Sequence, residues 1–146
     1  METSIKEQYL EQFQWAKQEV RDLEREIKLR RDDNNFPSSV PYDREFVTGS
    51  KDVDNSVQVK NLYEILEMEK EQLERRHLCL QLEKQIREAI NKIPVQSFRR
   101  ILTKRYLLGL KLSDIATEIN YSTSRTCELA KQALDAFEMP ADPIWM

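Results

Sequence analysis

An all-α protein is predicted, with a long N-terminal antiparallel helical hairpin of coiled-coil character followed by a C-terminal tri-helical head of helix-turn-helix type. Three observations point there. Charged residues make up 34% of the 146-residue chain and only Gly49 and Gly109 are glycines, so turns are few and helix-forming residues many. Tyr9, Phe13, Ala16, Val20, Leu23 and Ile27 recur at alternating spacings of four and three, which is a heptad seam. The segment KLSDIATEINYSTSRTCELAKQAL, from Lys111 to Leu134, reads as two short amphipathic helices around a tight turn.

The first helix is expected over about residues 4–31 and about 42 Å long at the usual rise per residue. It cannot bury its seam against itself and therefore needs a partner helix. Residues 32–56 break the periodicity with FPSSVP and a glycine, and form either a flexible connector or a partner-binding segment in which Phe36, Tyr42 and Phe46 anchor locally. A second long helix is expected over about 57–92, and it carries two apolar stripes. Leu62, Leu66, Leu73, His77 and Leu80 form one; Ile65, Met68, Cys79, Leu82, Ile86, Ala89, Ile90 and Ile93 form the other. Two stripes imply two neighbours: the first helix folded back, and a second copy of the chain. Residues 1–93 are thus assigned to a hairpin that oligomerises through Tyr9, Phe13, Val20, Leu23, Ile27, Leu66, Leu73 and Leu80.

Pro94 ends the second helix and opens the head, residues 94–138. A third helix, 97–108, places Phe98, Ile101, Leu102 and Arg105/Tyr106 on one face, with Gly109 as its C-terminal cap. The fourth covers 110–119, where Ile115 and Ile119 make a stripe and Ala116 lets two backbones approach closely. Asn120 is the best non-glycine residue for the left-handed turn that follows, and Tyr121 closes it. Ser122 then caps a fifth helix, to about residue 137, whose inward face is Thr126, Leu129 or Ala130, and Ala133. Residues 139–146 are a tail in which Trp145 either packs back on the head or docks on another protein; Trp15, off the main seam, widens the hairpin contact.

The net charge is −3, which excludes a generally basic nucleic-acid coat, but charge is unevenly distributed. Residues 1–93 carry 16 basic and 20 acidic side chains, whereas residues 94–133 carry seven basic and three acidic ones. The positive segment coincides with the head. Cys79 and Cys127 lie far apart without a CxxC partner, there is one histidine, and no secretory leader or apolar run of membrane-spanning length occurs. These features suit a reducing intracellular setting. They supply no metal site, no phosphate loop and no nucleophile–base set, so no catalytic residue, cofactor or small-molecule substrate is assigned. His77 is read as an interface or surface residue.

The run RILTKRYLLGLKLSDIATEINYSTSRTCELAKQAL resembles region four of sigma factors, through Arg105-Tyr106, Gly109-Leu110, Asp114-Ile115-Ala116 and Ser122. The whole layout is similar to small phage transcriptional regulators of the ArpU/RinA type, which join a helical hairpin, a proline-containing loop and such a head. It departs from the pattern at four positions. Lys111 replaces the usual capping serine, with Ser113 as the alternative cap; Asn120 replaces a turn glycine; Thr126 replaces a core valine or isoleucine; and Glu128 puts an acid on the expected DNA face.

The resemblance implies a sequence-specific transcriptional regulator, a late-gene activator in the bacterial cytoplasm, binding double-stranded DNA as a dimer or higher oligomer. A helix-turn-helix places its second helix in the major groove. Thr123, Ser124, Arg125, Cys127, Glu128 and Lys131 are then the base-reading candidates, and Arg99, Arg100, Lys104, Lys111 and Ser122 the phosphate contacts. Glu128 either accepts from cytosine or pairs with Arg125 or Lys131; Arg99 and Arg100 either meet phosphate or lie on a solvated face. Two alternatives stand beside this reading: a sigma-like module that docks on RNA polymerase or a sigma factor, and a phage small terminase subunit, in which the DNA-binding unit usually comes first rather than last.

Overall fold

A computed structural model describes residues 2–33 and 51–146, and all regular structure among them is helical. Helices are α1 (Glu2–Asp33), α2 (Lys51–Asn91), α3 (Gln96–Leu102), α4 (Leu112–Ile119) and α5 (Thr123–Ala136); α3 runs on into a π-helical turn, Thr103–Leu107. No helix among the described residues is long and apolar enough to cross a membrane. Most of the expected connector, including Phe36, Tyr42 and Phe46, lies outside the described residues. Helix α2 begins at Lys51, inside the segment expected to be irregular.

The chain divides into two compact units: Met1–Gln18 with His77–Met146, and Glu19–Arg76. The division cuts both long helices, so the ends of α1 and α2 group by packing with the residues after Pro94.

In the first unit one core joins four elements. Tyr9, Leu10, Phe13 and Ala16 from α1 meet Cys79, Leu82, Ile86, Ala89, Ile90 and Ile93 from α2. Leu102, Tyr106 and Leu107 and, from the end of α5, Ala133, Leu134 and Phe137 complete it. This corrects the assignment of Tyr9 and Phe13 to contacts between copies: the chain's own residues already cover them, at 0% and 4% exposure. A second, smaller core gathers Ile101, Ile115, Leu129 and Ala130 under Phe98, Leu110, Leu112 and Ile119.

Three glutamines tie the ends of the long helices to later segments. Gln14 Nε2 donates to the carbonyls of Tyr106 (2.9 Å) and Leu107 (3.1 Å), at the end of the π turn. Gly109, at φ +73°, leads out of that turn; a Cβ there would lie 2.8 Å from Gln14 Oε1, so both conformation and space call for glycine. Gln12 and Gln85 hold the tail. Gln12 Nε2 donates to the Ile144 carbonyl (3.0 Å) while its Oε1 accepts from the Met146 amide (2.7 Å). Gln85 Nε2 donates to the Asp142 carbonyl (2.8 Å), and its Oε1 accepts from the Ile144 amide (2.9 Å) and from the Tyr9 hydroxyl (2.6 Å). Trp145 stands edge-on to Tyr9, with ring centroids 5.8 Å apart. The aromatic partner of this tail residue is therefore on α1 rather than on the head.

Burial pushes the Tyr9 phenol up to about 12. In the unfolded chain it ionises near pH 10, so the folded state holds the proton longer, and the stabilisation is full below about pH 10 and disappears as pH rises toward 12. Melts between pH 9 and 12 should show wild type losing about 2–3 kcal/mol more than Tyr9→Phe over this window. Parallel curves for the two proteins would exclude Tyr9 as the source.

In the second unit Ile27 and Ile65 are buried, and Val20, Leu23 and Met68 are half-buried. Ile27 is thereby also withdrawn from contacts between copies. Ion pairs among the described residues link α1 to α2, including Glu19–Arg75 (2.5 Å), Glu24–Arg76 (3.7 Å), Arg30–Glu64 (3.1 Å) and Arg31–Glu69. All are solvent-facing and worth at most about 1 kcal/mol each. The Leu62, Leu66 and Leu73 stripe stays exposed; Leu80 is exposed in the first unit.

Candidate nucleic-acid interface

Helices α4 and α5 are set by local rules. Lys111 precedes α4 with extended backbone and offers no side-chain cap, and Ser113 supplies none either; it lies inside the helix, where its carbonyl accepts from Thr117 Oγ1 at 3.1 Å. Asp114 in the first turn places negative charge near the helix's positive end instead. At the other end Asn120 adopts the left-handed conformation (φ 61°, ψ 37°), and the Tyr121 amide reaches back to the Ala116 carbonyl at 3.0 Å. That is a Schellman-type termination. Ala116 is buried, while the Tyr121 ring is half-exposed, so Tyr121 closes the turn with its backbone.

Ser122 caps α5: its Oγ accepts from the Arg125 amide at 3.1 Å, while its carbonyl accepts from the Thr126 amide and hydroxyl, both at 2.9 Å. Thr126 therefore sits fully buried with its hydroxyl satisfied, which explains how a polar residue occupies a core position. Leu129, Ala130, Ala133 and Leu134 turn inward with it. Thr123, Ser124, Arg125, Glu128 and Lys131 are exposed, and Cys127 is partly so. At its C-terminal end α5 packs into the core shared with α1, and Lys6 Nζ donates to the Leu134 and Asp135 carbonyls at 3.4 and 3.1 Å.

The structure sorts the expected cations. Arg125 pairs with Glu128 across one helical turn at 3.4 Å, both side chains more than half exposed, so the pair breaks at little cost when a better partner arrives. Arg100 and Lys111 are exposed. Arg99 and Lys104 are placed differently from expectation. The Arg99 guanidinium is partly buried and donates to the Ile93 carbonyl at 2.6 Å, where it closes the end of α2. Lys104 keeps only 19% of its side chain exposed and pairs with Glu118 at 3.2 Å, tying the π turn to α4. Neither is an unencumbered phosphate contact.

A shallow cleft beside the π turn is lined by Glu11, Trp15, Arg105, Gly109 and Leu110. Trp15 is 71% exposed there, so it does not widen a contact between the long helices. Sequence reasoning missed this cleft because it depends on Gln14 fixing the turn, for which only Gly109 gave a local sign. Among the described residues no group of three or more His, Cys, Asp or Glu side chains is placed to hold a metal ion. Burial, with Glu83 adding to it and Lys17 opposing, pushes the Cys79 thiol up, as suits a packing residue rather than a nucleophile.

No family model matches the chain, and neither a curated protein nor a solved structure matches it either.

Proposed function

We propose that the protein is a sequence-specific, double-stranded-DNA-binding transcriptional regulator that acts as an oligomer, in the manner of phage late-gene activators in a bacterial cytoplasm. In this reading α3, α4 and α5 are a helix-turn-helix head, α1 and α2 an antiparallel hairpin, and α5 the reading helix. The observation that carries it is the two-sidedness of α5. Its inward face, Thr126, Leu129 and Ala130, is buried, and its outward face presents Thr123, Ser124, Arg125, Glu128 and Lys131 from a Ser122-capped end. Arg125 is the principal reader, since a guanidinium can bond two acceptors of one guanine. Arg100, Lys111 and Lys131 hold phosphates, helped by the Thr123 and Ser124 amides at the positive end of α5.

Selection from a random duplex pool with wild type and Arg125→Ala in parallel tests the assignment. Wild type should recover a motif. Arg125→Ala should bind it about 1–3 kcal/mol more weakly and lose preference at one base pair. Equal recovery of the same motif by both would remove Arg125 from that role.

A second reading has support in the exposed Trp15 beside Arg105: the head docks on RNA polymerase or a sigma factor, and contact with DNA is secondary. Aromatic and arginine side chains are the common anchors of protein interfaces. Promoter binding that requires polymerase, and that Trp15→Ala abolishes, would favour it.

A further inference from the structure

We infer that the face of α2 bearing Val59, Leu62, Tyr63, Leu66 and Leu73 is the self-association surface, and that it takes the same face of a second copy in parallel, in-register pairing. This rests on the oligomeric part of the proposed function and supplies its surface.

Val59, Leu66 and Leu73 repeat every seven residues, the period of a coiled-coil seam. All five side chains are exposed, from 39% at Leu62 to 66% at Tyr63, although the neighbouring Ile65 is completely buried. The α1 side of α2 is thus already filled within this unit, and a different face is left uncovered. Exposed apolar side chains aligned along one helix face mark an interaction surface. Two such patches meeting would bury on the order of 1,000 Å², the lower bound for a specific interface.

Charge selects both the occupant and its direction. Leu62 and Glu69 flank the seam on one side; Tyr63 and Lys70 flank it on the other. A parallel two-fold pair brings the first row of each copy against the second row of the other, so Leu62 meets Tyr63 and Glu69 meets Lys70 across the interface. The antiparallel pairing that stacks Leu66 on Leu73 instead sets Glu69 near Glu69 and Lys70 near Lys70, and like charges there oppose association. Glu69 already pairs with Arg31 of its own chain at the surface, and this does not prevent a second contact.

The test needs no partner: light scattering and sedimentation of the full chain at micromolar concentration. Wild type should dimerise, and Leu66→Glu with Leu73→Glu should weaken dimerisation at least 100-fold while helix content and melting of the monomer are retained. Leu29→Glu, an exposed leucine on α1, should leave dimerisation unchanged. Val59→Cys and Leu73→Cys, made singly, should each cross-link to their own counterpart under mild oxidation. They lie about 21 Å apart along the helix at 1.5 Å per residue, so an antiparallel pair permits at most one of the two. A monomeric wild type, a dimer indifferent to the glutamates, or cross-linking of only one cysteine variant would overturn the proposal. Duplex selection by a monomer would leave the reading of α5 intact, which separates the two failures.

Discussion

Replacing Phe137 by alanine should destabilise the first unit by about 3–5 kcal/mol, the usual cost of emptying a buried aromatic site. Phe137 is completely buried just beyond the end of α5, 6.2 Å from the Tyr9 ring by centroids. Its amide closes the helix on the Ala133 and Leu134 carbonyls at 3.0 and 3.2 Å. The side chain therefore joins the end of the proposed reading helix to the start of α1. Trp15 and Trp145 both belong to this unit, so denaturant unfolding followed by tryptophan fluorescence reports on it directly. Trp145→Ala is the comparison. That ring is about half exposed and touches Tyr9 only at its edge, for which an aromatic pair contributes about 0.5–1.5 kcal/mol. A loss below about 1 kcal/mol for Phe137→Ala would mean that the head and the long helices do not share a core.

Phe137 also shows where sequence reasoning stops. Helices α4 and α5 were legible because their ends depend on a few adjacent residues: Asn120 for the left-handed turn and Ser122 for the cap. The long helices were legible from their periodicity. What covers a given stripe was not, because a heptad seam looks the same whether it meets another part of its own chain or a second copy. Tyr9, Phe13 and Ile27 were therefore assigned outward and proved inward, whereas Leu66 and Leu73 on α2 stayed exposed as assigned. The two stripes on α2 were separated correctly by spacing alone; their neighbours had to come from the structure. Arg99 and Lys104 were misread for a related reason. A cation's sequence position gives its reach but not whether the Ile93 carbonyl or Glu118 will claim it first. The π turn was hidden because its carbonyls are met by Gln14, 92 and 93 positions away.

That sorting of cations makes the salt dependence of the proposed DNA binding quantitative. Under the proposed function the exposed cations Arg100, Lys111 and Lys131 hold phosphates while Arg125 reads a base, against an acidic remainder of the chain. If one head neutralises about three phosphates, the log–log slope is near −2.7, and affinity falls about 40-fold between 50 and 200 mM salt. Two heads engaged together double the slope and raise the loss to on the order of 10³. Filter binding or fluorescence anisotropy on a selected site, across that range, gives the slope for wild type. Arg100→Ala should make it shallower by about 0.9. Arg99→Ala should leave the slope alone and lower the melting temperature instead, because its guanidinium serves the end of α2. A flat response would rule out direct duplex binding by this face. Equal slope changes for Arg99→Ala and Arg100→Ala would show that Arg99 leaves Ile93 on binding, and that the end of α2 opens when the head meets DNA.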